Sequence, residues 1–205
     1  MKLLIATTNA GKLAEVEAVL KQLPVTIVPL ARLGAWPQVV EDGKTFEENA
    51  LKKARTLAAF SGRVTLADDS GLEVDALHGE PGIHSARYSG EDGDDARNNE
   101  KLLRALAGVP EEKRRARFVC VLALCAPAAL GGGEWLFRGE CEGRIAFAPR
   151  GENGFGYDPL FFYPPLNQTF AEVDREAKCR VSHRGQALRK LAVVLPSLPL
   201  VKIHP

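Results

Sequence analysis

The order of apolar and polar residues in the first half of the chain follows two periods. Short apolar runs bounded by polar residues predict three buried strands. The runs are Leu3–Ala6, Val25–Val28 and Val64–Ala67. Apolar residues recur at helical spacing from Gly11 to about Leu23, and Pro24 ends the pattern. A second helix is predicted from Thr45 to about Phe60, because Glu48 follows Thr45 at the spacing of a capping box.

The second half of the chain is richer in predicted strands. Gly, Pro and Ser recur from Leu77 to Gly93, which indicates a long loop, and the pattern of Asp94–Leu106 is helical. Ala116–Ala126 is an apolar run typical of a central strand. Gly185–Leu195 predicts a last, amphipathic helix. The other predicted strands are Glu134–Cys141, Gly143–Phe147 after a Gly turn, and a segment that includes Phe161 and Phe162.

The order of these elements predicts the fold class. Helices alternate with strands in the first half and strands dominate the second, which favours an α/β fold with a mixed sheet, in two lobes with a cleft between them. At 205 residues the chain is long enough for one large domain or two small lobes. We expect a single domain of two lobes over residues 1–195. Residues 196–205 form a Pro-rich tail, either frayed or a short edge segment.

Composition and charge exclude several classes of protein. The chain is 45% hydrophobic and 26% charged, as in ordinary globular proteins. A net charge of +1 gives no global field for a nucleic-acid polymer or an acidic membrane, so any anion must bind to a local cluster. The first apolar run is too short for a signal peptide, and no stretch reaches the roughly 18 apolar residues of a membrane helix. Cys120 and Cys125 lie in an apolar run, which predicts buried, reduced thiols and therefore a cytoplasmic protein.

Two adjacent acids, Asp68 and Asp69, stand between the apolar run Val64–Ala67 and the pair Ser70-Gly71. This order predicts a strand that ends at the acids, at the edge of the sheet where α/β proteins keep their chemistry. Mg²⁺ prefers one or two carboxylates together with phosphates and water. Glu41, in a second acidic turn, is the candidate to complete a metal site with Asp69. The alternatives are a solvated acidic turn, and an acid that favours the dipole of the following helix.

The segment from Thr7 to Lys12 follows the first predicted strand and opens the first predicted helix. Free backbone N–H groups and the positive end of the helix dipole favour an anion at such a position. Lys53, two turns into the second helix, is a further phosphate candidate. The alternatives are a plain helix cap with an exposed Lys12 and a surface ion pair for Lys53. The candidate phosphate ligands of the segment are Thr7, Thr8, Asn9, Ala10, Gly11 and Lys12.

Two segments of the second half suit a flat ligand. In Gly154–Pro159 the glycines allow close approach of the backbone, Phe155 offers a stacking face and Asp158 accepts hydrogen bonds from ring N–H groups. Near the last helix, donors for a carbonyl oxygen or a phosphate recur. The alternatives are a tight turn with buried aromatics, and capping residues beside a solvated basic pair. The donors are Lys178, His183 and Arg184.

Together these candidates describe a site for a nucleoside triphosphate with Mg²⁺. Seven motifs, in order along residues 3 to about 195, resemble those of the inosine triphosphate pyrophosphatase family, the dITP/XTP pyrophosphatases. The tail after Leu195 extends beyond the usual family end. The motifs are Thr7-x-Asn9-x-Gly11-Lys12; Glu41-x-Gly43; Thr45-Phe46-x-Glu48-Asn49-Ala50 with Lys53-Ala54; Ala67-Asp68-Asp69-Ser70-Gly71-Leu72; Gly79-x-Pro81-Gly82-Ile83-x-Ser85-Ala86-Arg87-Tyr88; Gly154-Phe155-Gly156-Tyr157-Asp158-Pro159; and Ser182-His183-Arg184-Gly185-x-Ala187-Leu188.

The resemblance implies a Mg²⁺-dependent enzyme that hydrolyses ITP, dITP and XTP to the monophosphate and pyrophosphate. It also implies a homodimer, and one catalytic domain with a long twisted mixed sheet and an active cleft between two lobes. Asp69 matches the catalytic base and a metal ligand, Glu41 matches the second metal ligand, and Thr7–Lys12 match the phosphate loop. The positions that match substrate contacts are Ser70, Phe155, Gly156, Tyr157, Asp158, Lys178, His183 and Arg184.

Base selection is expected to follow hydrogen-bond polarity. A donor from His183 or Arg184 forms a hydrogen bond with the 6-oxo group of hypoxanthine or xanthine. Opposite the 6-amino group of adenine, the same donor finds no acceptor. Two alternatives stay open for the sequence. One is a Maf-like pyrophosphatase for other modified nucleotides, and the other is a nucleotide-binding sensor without catalysis.

Overall fold

A computed structural model describes residues 1–90 and 93–200 of the chain. Its α-helices are α1 (Ala10–Leu20), α2 (Phe46–Ser61), α3 (Asp95–Ala105), α4 (Arg175–Val181) and α5 (His183–Val194). Its strands are β1 (Lys2–Ile5), β2 (Thr26–Pro29), β3 (Val64–Val74), β4 (Arg115–Cys125), β5 (Glu134–Ile145), β6 (Phe161–Tyr163) and β7 (Gln168–Thr169). Short 3₁₀ turns connect several of these elements. Among the described residues, no helix is both long and apolar enough to cross a membrane.

The strands form one sheet in the order β2-β1-β3-β4-β5-β6-β7. β1 is parallel to β2 and β3, whereas β6 is antiparallel to β5 and β7. The predicted α/β fold with a mixed sheet is therefore confirmed. In the β1–β3 pair Ile5 stands opposite Leu66. Because the two strands are parallel, the segment that follows β1 leaves the sheet beside Asp68 and Asp69.

Helix caps agree with the sequence pattern, with one difference. The side chains of Asn9 and Thr45 cap α1 and α2, and they accept hydrogen bonds from the N–H groups of Lys12 and Glu48. The predicted capping box is formed only in part, because the Glu48 carboxylate accepts from the N–H of Lys44, at 2.6 Å. The helix start at Thr45 is nevertheless correct.

Two predictions of strands are wrong, and one helix was missed. β3 does not end at Ala67 but continues to Val74, so the two acids lie inside a strand that is buried along most of its length. The segments predicted as two strands around Gly143 are one strand, β5. The sequence pattern also missed α4, whose helix is capped by Asp174. The predicted loop after Leu77 contains an ordered 3₁₀ turn at Gly82–Arg87.

The chain divides into two compact units. Unit 1 comprises residues 1–69, residues 120–138 and the chain from Arg184 onward, and unit 2 comprises residues 70–119 and 139–183. Each unit has its own apolar core. Leu3, Leu20, Leu122 and Leu188 are among the buried residues of unit 1, and Leu72, Leu102, Phe161 and Phe170 are among those of unit 2. Residues 91–92 of the predicted loop and residues 201–205 of the predicted tail lie outside the described residues.

Candidate active site

Asp68 is held in unit 1 by a buried network of donors. Its Oδ1 accepts a hydrogen bond from the Lys12 ammonium, and its Oδ2 accepts from Nε of Arg184 at 2.8 Å and from Sγ of Cys120 at 3.1 Å. Burial raises the pKa of Asp68, but Arg184 and Lys12 outweigh it and hold the pKa well below its ordinary value. Asp68 is therefore a charged structural anchor for Lys12.

The guanidinium of Arg184 is the centre of this network. Its Nη1 donates to Oε2 of Glu15 at 2.5 Å, in addition to the bond from Nε to Asp68. The side chain of Arg184 is 2% exposed. The solvated basic pair that the sequence left open is therefore wrong for Arg184. Sequence reasoning missed Glu15 and Cys120; the available signal for Glu15 was its place one turn after Lys12 on α1.

Asp69 is in a different environment from its neighbour. Nζ of Lys53 lies 3.3 Å from Oδ1 of Asp69 and 3.2 Å from Oε2 of Glu41, and it also donates to the backbone oxygen of Asp68 at 2.6 Å. Burial raises the pKa of the Asp69 carboxyl to about 6, with Lys53 opposing the shift and Glu41 adding to it. The surface ion pair considered for Lys53 is wrong, because the ammonium is largely buried between these acids.

The carboxylate oxygens of Asp69 and Glu41 fit a divalent cation. Glu41 and Asp69 share one ammonium, and Oδ2 of Asp69 is buried without a hydrogen-bond partner among the described residues. The described residues contain no group of three or more acidic, His or Cys side chains that could hold a metal. Mg²⁺ needs no such cage, because it takes one or two carboxylates and completes its shell with phosphate and water. The two carboxylates therefore suit Mg²⁺.

The start of α1 has the local geometry of an anion site. Asn9 caps the helix through the N–H of Lys12 at 3.0 Å, and Oγ1 of Thr7 accepts from the N–H of Asn9 at 3.1 Å. Thr8, Asn9 and Ala10 are exposed, so the first helical turn is open to an anion. The alternative of a plain cap required an exposed Lys12. The Lys12 side chain instead binds Asp68. The α1 terminus, Lys12, Lys53 and Asp69 all belong to unit 1.

Unit 2 contains the predicted base-binding loop. Oδ2 of Asp158 accepts hydrogen bonds from the N–H of Phe155 at 2.9 Å and from Nζ of Lys178 at 2.6 Å. The same ammonium lies 4.8 Å from the centre of the Phe155 ring. Gly154 has φ 78°, and a Cβ there would come within 2.1 Å of the Asp158 carboxylate. The loop is thus folded around a buried ion pair and requires glycine at position 154.

The remaining predicted contacts of unit 2 have mixed exposure. The hydroxyl of the buried Tyr157 donates to the backbone oxygen of Ser85 at 2.9 Å, which fixes the loop from inside. His183 is 4% exposed, and its ring stacks on Phe118 with centroids 4.7 Å apart. Ser70 follows Asp69 in β3 and is half-buried. The roles of these residues toward a nucleotide stay predictions.

Comparison with known proteins identifies a single family along nearly the whole chain. The model of the Ham1 family matches residues 3–194. A dITP/XTP pyrophosphatase from Geobacter sulfurreducens is 55% identical, with 93% of this chain and 94% of the relative covered. A dITP/XTP pyrophosphatase from Syntrophobacter fumaroxidans is 57% identical over 92% of this chain and 79% of the relative.

Solved structures agree in fold as well as in sequence. The Ham1 protein of Staphylococcus aureus is similar with a TM-score of 0.85 and 41% identity, over 96% of this chain and 99% of that one. A HAM1 protein from Coxiella burnetii has a TM-score of 0.87 and 41% identity, over 97% of this chain and 100% of that one. From its sequence motifs, its sheet and this full-length similarity, the chain belongs to the Ham1 family.

Proposed function

We propose that the protein is a nucleoside triphosphate pyrophosphatase that hydrolyses ITP, dITP and XTP to the monophosphate and pyrophosphate, and so removes aberrant purine nucleotides. The observation that carries the proposal is the cluster in unit 1, where Asp69 and Glu41 share Lys53 while Lys12 stands at an open helix start. Relatives that are 55% and 57% identical bear the name dITP/XTP pyrophosphatase, which supports dITP and XTP as substrates.

The reaction is the attack of water on the α-phosphorus of the nucleotide. A new P–O bond forms to the water oxygen, the bond between the α-phosphorus and the α–β bridging oxygen breaks, and pyrophosphate leaves. Asp69 accepts the proton of the attacking water, and its pKa of about 6 leaves it a base at neutral pH. Lys12, Lys53 and the N–H groups of α1 hold the phosphate oxygens, whose charge grows as the bond breaks.

Mg²⁺ is the proposed cofactor, held by Glu41 and Asp69. When bound, it neutralises charge on the triphosphate and on the leaving pyrophosphate. Nζ of Lys53 lies 3.2 Å from Oε2 of Glu41 and 3.3 Å from Oδ1 of Asp69, and its charge opposes the effect of burial on the pKa of Asp69. Burial lowers the pKa of Lys53, but the nearby carboxylates of Asp69, Glu41 and Asp68 raise it above its ordinary value, so the ammonium stays protonated.

The proposed base contacts are the loop Gly154–Asp158 and the donors His183 and Arg184. Phe155 stacks on the purine ring, and Asp158 with Lys178 gives the loop its fixed shape. His183 donates to the 6-oxo group of the base. Arg184 is proposed as a second donor, because a guanidinium presents only N–H groups to a ligand.

A substrate panel tests the proposal. ITP, XTP, dITP, GTP, ATP and dTTP are each incubated with and without Mg²⁺, the protein is then removed, and phosphate is measured before and after addition of an inorganic pyrophosphatase together with Mg²⁺ in every sample. We expect phosphate to appear only after that addition, with ITP, dITP and XTP turned over far faster than ATP and only in the presence of Mg²⁺. GTP, which shares the 6-oxo group, should be rejected less strongly than ATP.

Each rival function gives a different result in this panel. Orthophosphate as the first product contradicts pyrophosphate release. Equal rates for ATP and ITP contradict recognition of the base through a hydrogen bond to its 6-oxo group. A preference for dTTP favours a Maf-like specificity. Tight nucleotide binding without any product favours a sensor.

We further propose a cytoplasmic location and a homodimer. Cys120, Cys125 and Cys141 are reduced thiols buried in the protein, as expected in a reducing compartment. The dimer is proposed from the family resemblance, and light scattering of the purified protein measures it directly. A monomer mass at micromolar concentration would contradict it.

A further inference from the structure

Helix α3 binds the backbone of the loop Gly154–Asp158 within unit 2. The N–H of Gly156 donates to Oδ2 of Asp95 at 2.6 Å, and Nδ2 of Asn99 donates to the carbonyl oxygen of Gly156 at 2.9 Å. Residues four apart on a helix lie on one side of it. A single face of α3 therefore satisfies both backbone polar groups of one loop residue.

Gly156 is a position where the loop needs external support. Its φ is 63°, a left-handed conformation that glycine adopts without strain but that glycine does not itself enforce. Gly156 directly follows Phe155 and comes two residues before Asp158. Any rotation of its backbone therefore turns the Phe155 ring and the Asp158 carboxylate with respect to each other.

Hydrogen bonds to Gly156 are the main contacts of the Asp95 and Asn99 side chains within the described part of the chain. Asn99 is half-buried, and its buried Oδ1 accepts no hydrogen bond from the described residues. Its Nδ2 donates to the Gly156 carbonyl. Asp95 is exposed, where a carboxylate gains little by being fixed in one orientation. Both nevertheless converge on one glycine.

We propose that Asp95 and Asn99 are positioning residues for purine recognition: by holding Gly156 they orient Phe155 and Asp158 and thereby set base affinity and base discrimination. This inference rests on the proposed function, because it deepens the account of the same substrate. It adds residues outside the nucleotide contacts, on an element that none of the family motifs includes. Neither side chain takes part in the chemistry at phosphorus, so their effect is on KM rather than on kcat.

The test compares Asp95→Ala and Asn99→Ala with two controls. Each alanine removes one hydrogen bond to Gly156, and the KM for ITP should rise about three- to tenfold, the range that one hydrogen bond spans. The ratio of kcat/KM for ITP to that for ATP should fall, while kcat with saturating ITP stays within about twofold of wild type. Asp95→Asn keeps an oxygen acceptor toward Gly156 and should restore most of the affinity.

Glu100→Ala is the matched control on the same helix. Its carboxylate is exposed and pairs with Arg104 at 3.5 Å, away from Gly156, so KM and the ITP-to-ATP ratio should not change. The inference is overturned if Asp95→Ala and Asn99→Ala match Glu100→Ala in both quantities. It is also overturned if they lower kcat for ITP and ATP alike at unchanged KM, because that result indicates a general structural role.

Failure of the proposed function is distinguishable from failure of this inference. If wild-type protein binds ITP but releases no pyrophosphate, the enzyme assignment is wrong. Calorimetric titration with ITP and ATP then replaces KM in the same set of variants. An unchanged ITP affinity in Asp95→Ala and Asn99→Ala in that titration would overturn the positioning role by itself.

Discussion

Asp68 and Asp69 are neighbours in the sequence, but they lie on opposite faces of β3 and bind different lysines. Successive side chains of a strand point to opposite faces, and Lys12 binds Asp68 while Nζ of Lys53 lies 3.3 Å from Asp69. Burial acts on both carboxyls. It raises the pKa of Asp69 to about 6, whereas Arg184 and Lys12 overcome it at Asp68 and keep that pKa well below its ordinary value. The two adjacent carboxyls therefore have opposite pKa shifts.

Asp69→Asn should abolish most activity without unfolding the protein. The substitution removes a proton acceptor and one proposed metal ligand, so kcat for ITP should fall by roughly 10²-fold or more. The free energy of unfolding, measured in urea, should not decrease, because the carboxylate lost is one that burial disfavours. A variant that folds and retains wild-type turnover would remove Asp69 from the mechanism.

Asp68→Asn, unlike Asp69→Asn, should lower the free energy of unfolding. It leaves the buried guanidinium of Arg184 and the Lys12 ammonium with less compensating charge, and breaking a buried pair typically costs about 3–5 kcal/mol. The urea unfolding free energy should fall by about that amount. Glu17→Gln makes the same chemical change on the exposed side of α1 and should alter it by less than about 0.5 kcal/mol. An Asp68→Asn protein as stable as Glu17→Gln would show that Asp68 is not an anchor.

Mg²⁺ binding should weaken as pH falls through the pKa of Asp69. That pKa is about 6, so the carboxyl is charged above pH 6 and holds a proton below it, and the proton competes with the metal. The Mg²⁺ concentration for half-maximal ITP hydrolysis should be nearly constant from pH 7 to 8. Below pH 6 it should rise toward tenfold per pH unit. A pH-independent Mg²⁺ requirement down to pH 5 would contradict Asp69 as a ligand.

Gly43→Ala should weaken the Mg²⁺ response through Glu41. The N–H of Gly43 donates to Oδ1 of Asn49 at 2.8 Å, and a Cβ on Gly43 would lie 2.6 Å from that oxygen and 2.8 Å from Cβ of Glu48. Since Asn49 and Glu48 are fixed in α2, the turn that includes Glu41 must move. The Mg²⁺ concentration for half-maximal activity should rise about tenfold, as expected when a residue that orients a metal ligand is lost.

Lys44→Ala is the control for this turn. Lys44 is exposed, and its backbone N–H still donates to Glu48 after the side chain is shortened. Its Mg²⁺ requirement should equal that of wild type. If Gly43→Ala behaves like Lys44→Ala, the Asn49 contact does not position Glu41.

The sequence pattern was least accurate where glycine and acidic residues lie inside strands. Ser70-Gly71 after two acids predicted the end of a strand, yet β3 continues to Val74. Gly143 predicted a turn, yet β5 passes through it, and a Cβ there would lie 2.6 Å from Cζ of Phe161. This glycine serves a close approach between side chain and backbone rather than a turn. Packing of that kind leaves no signal in local sequence.

What the sequence by itself determined was the class of fold, the starts of α1 and α2, and the residue types of the candidate site. These follow from local periodicity, caps and motif spacing, which need only neighbouring residues. The tertiary structure alone decided the pairing of charges. Arg184 meets Glu15 across 169 positions of sequence, and Lys12 meets Asp68 across 56. Such contacts depend on how strands and helices pack, and that packing gives two adjacent acids different partners and opposite pKa shifts.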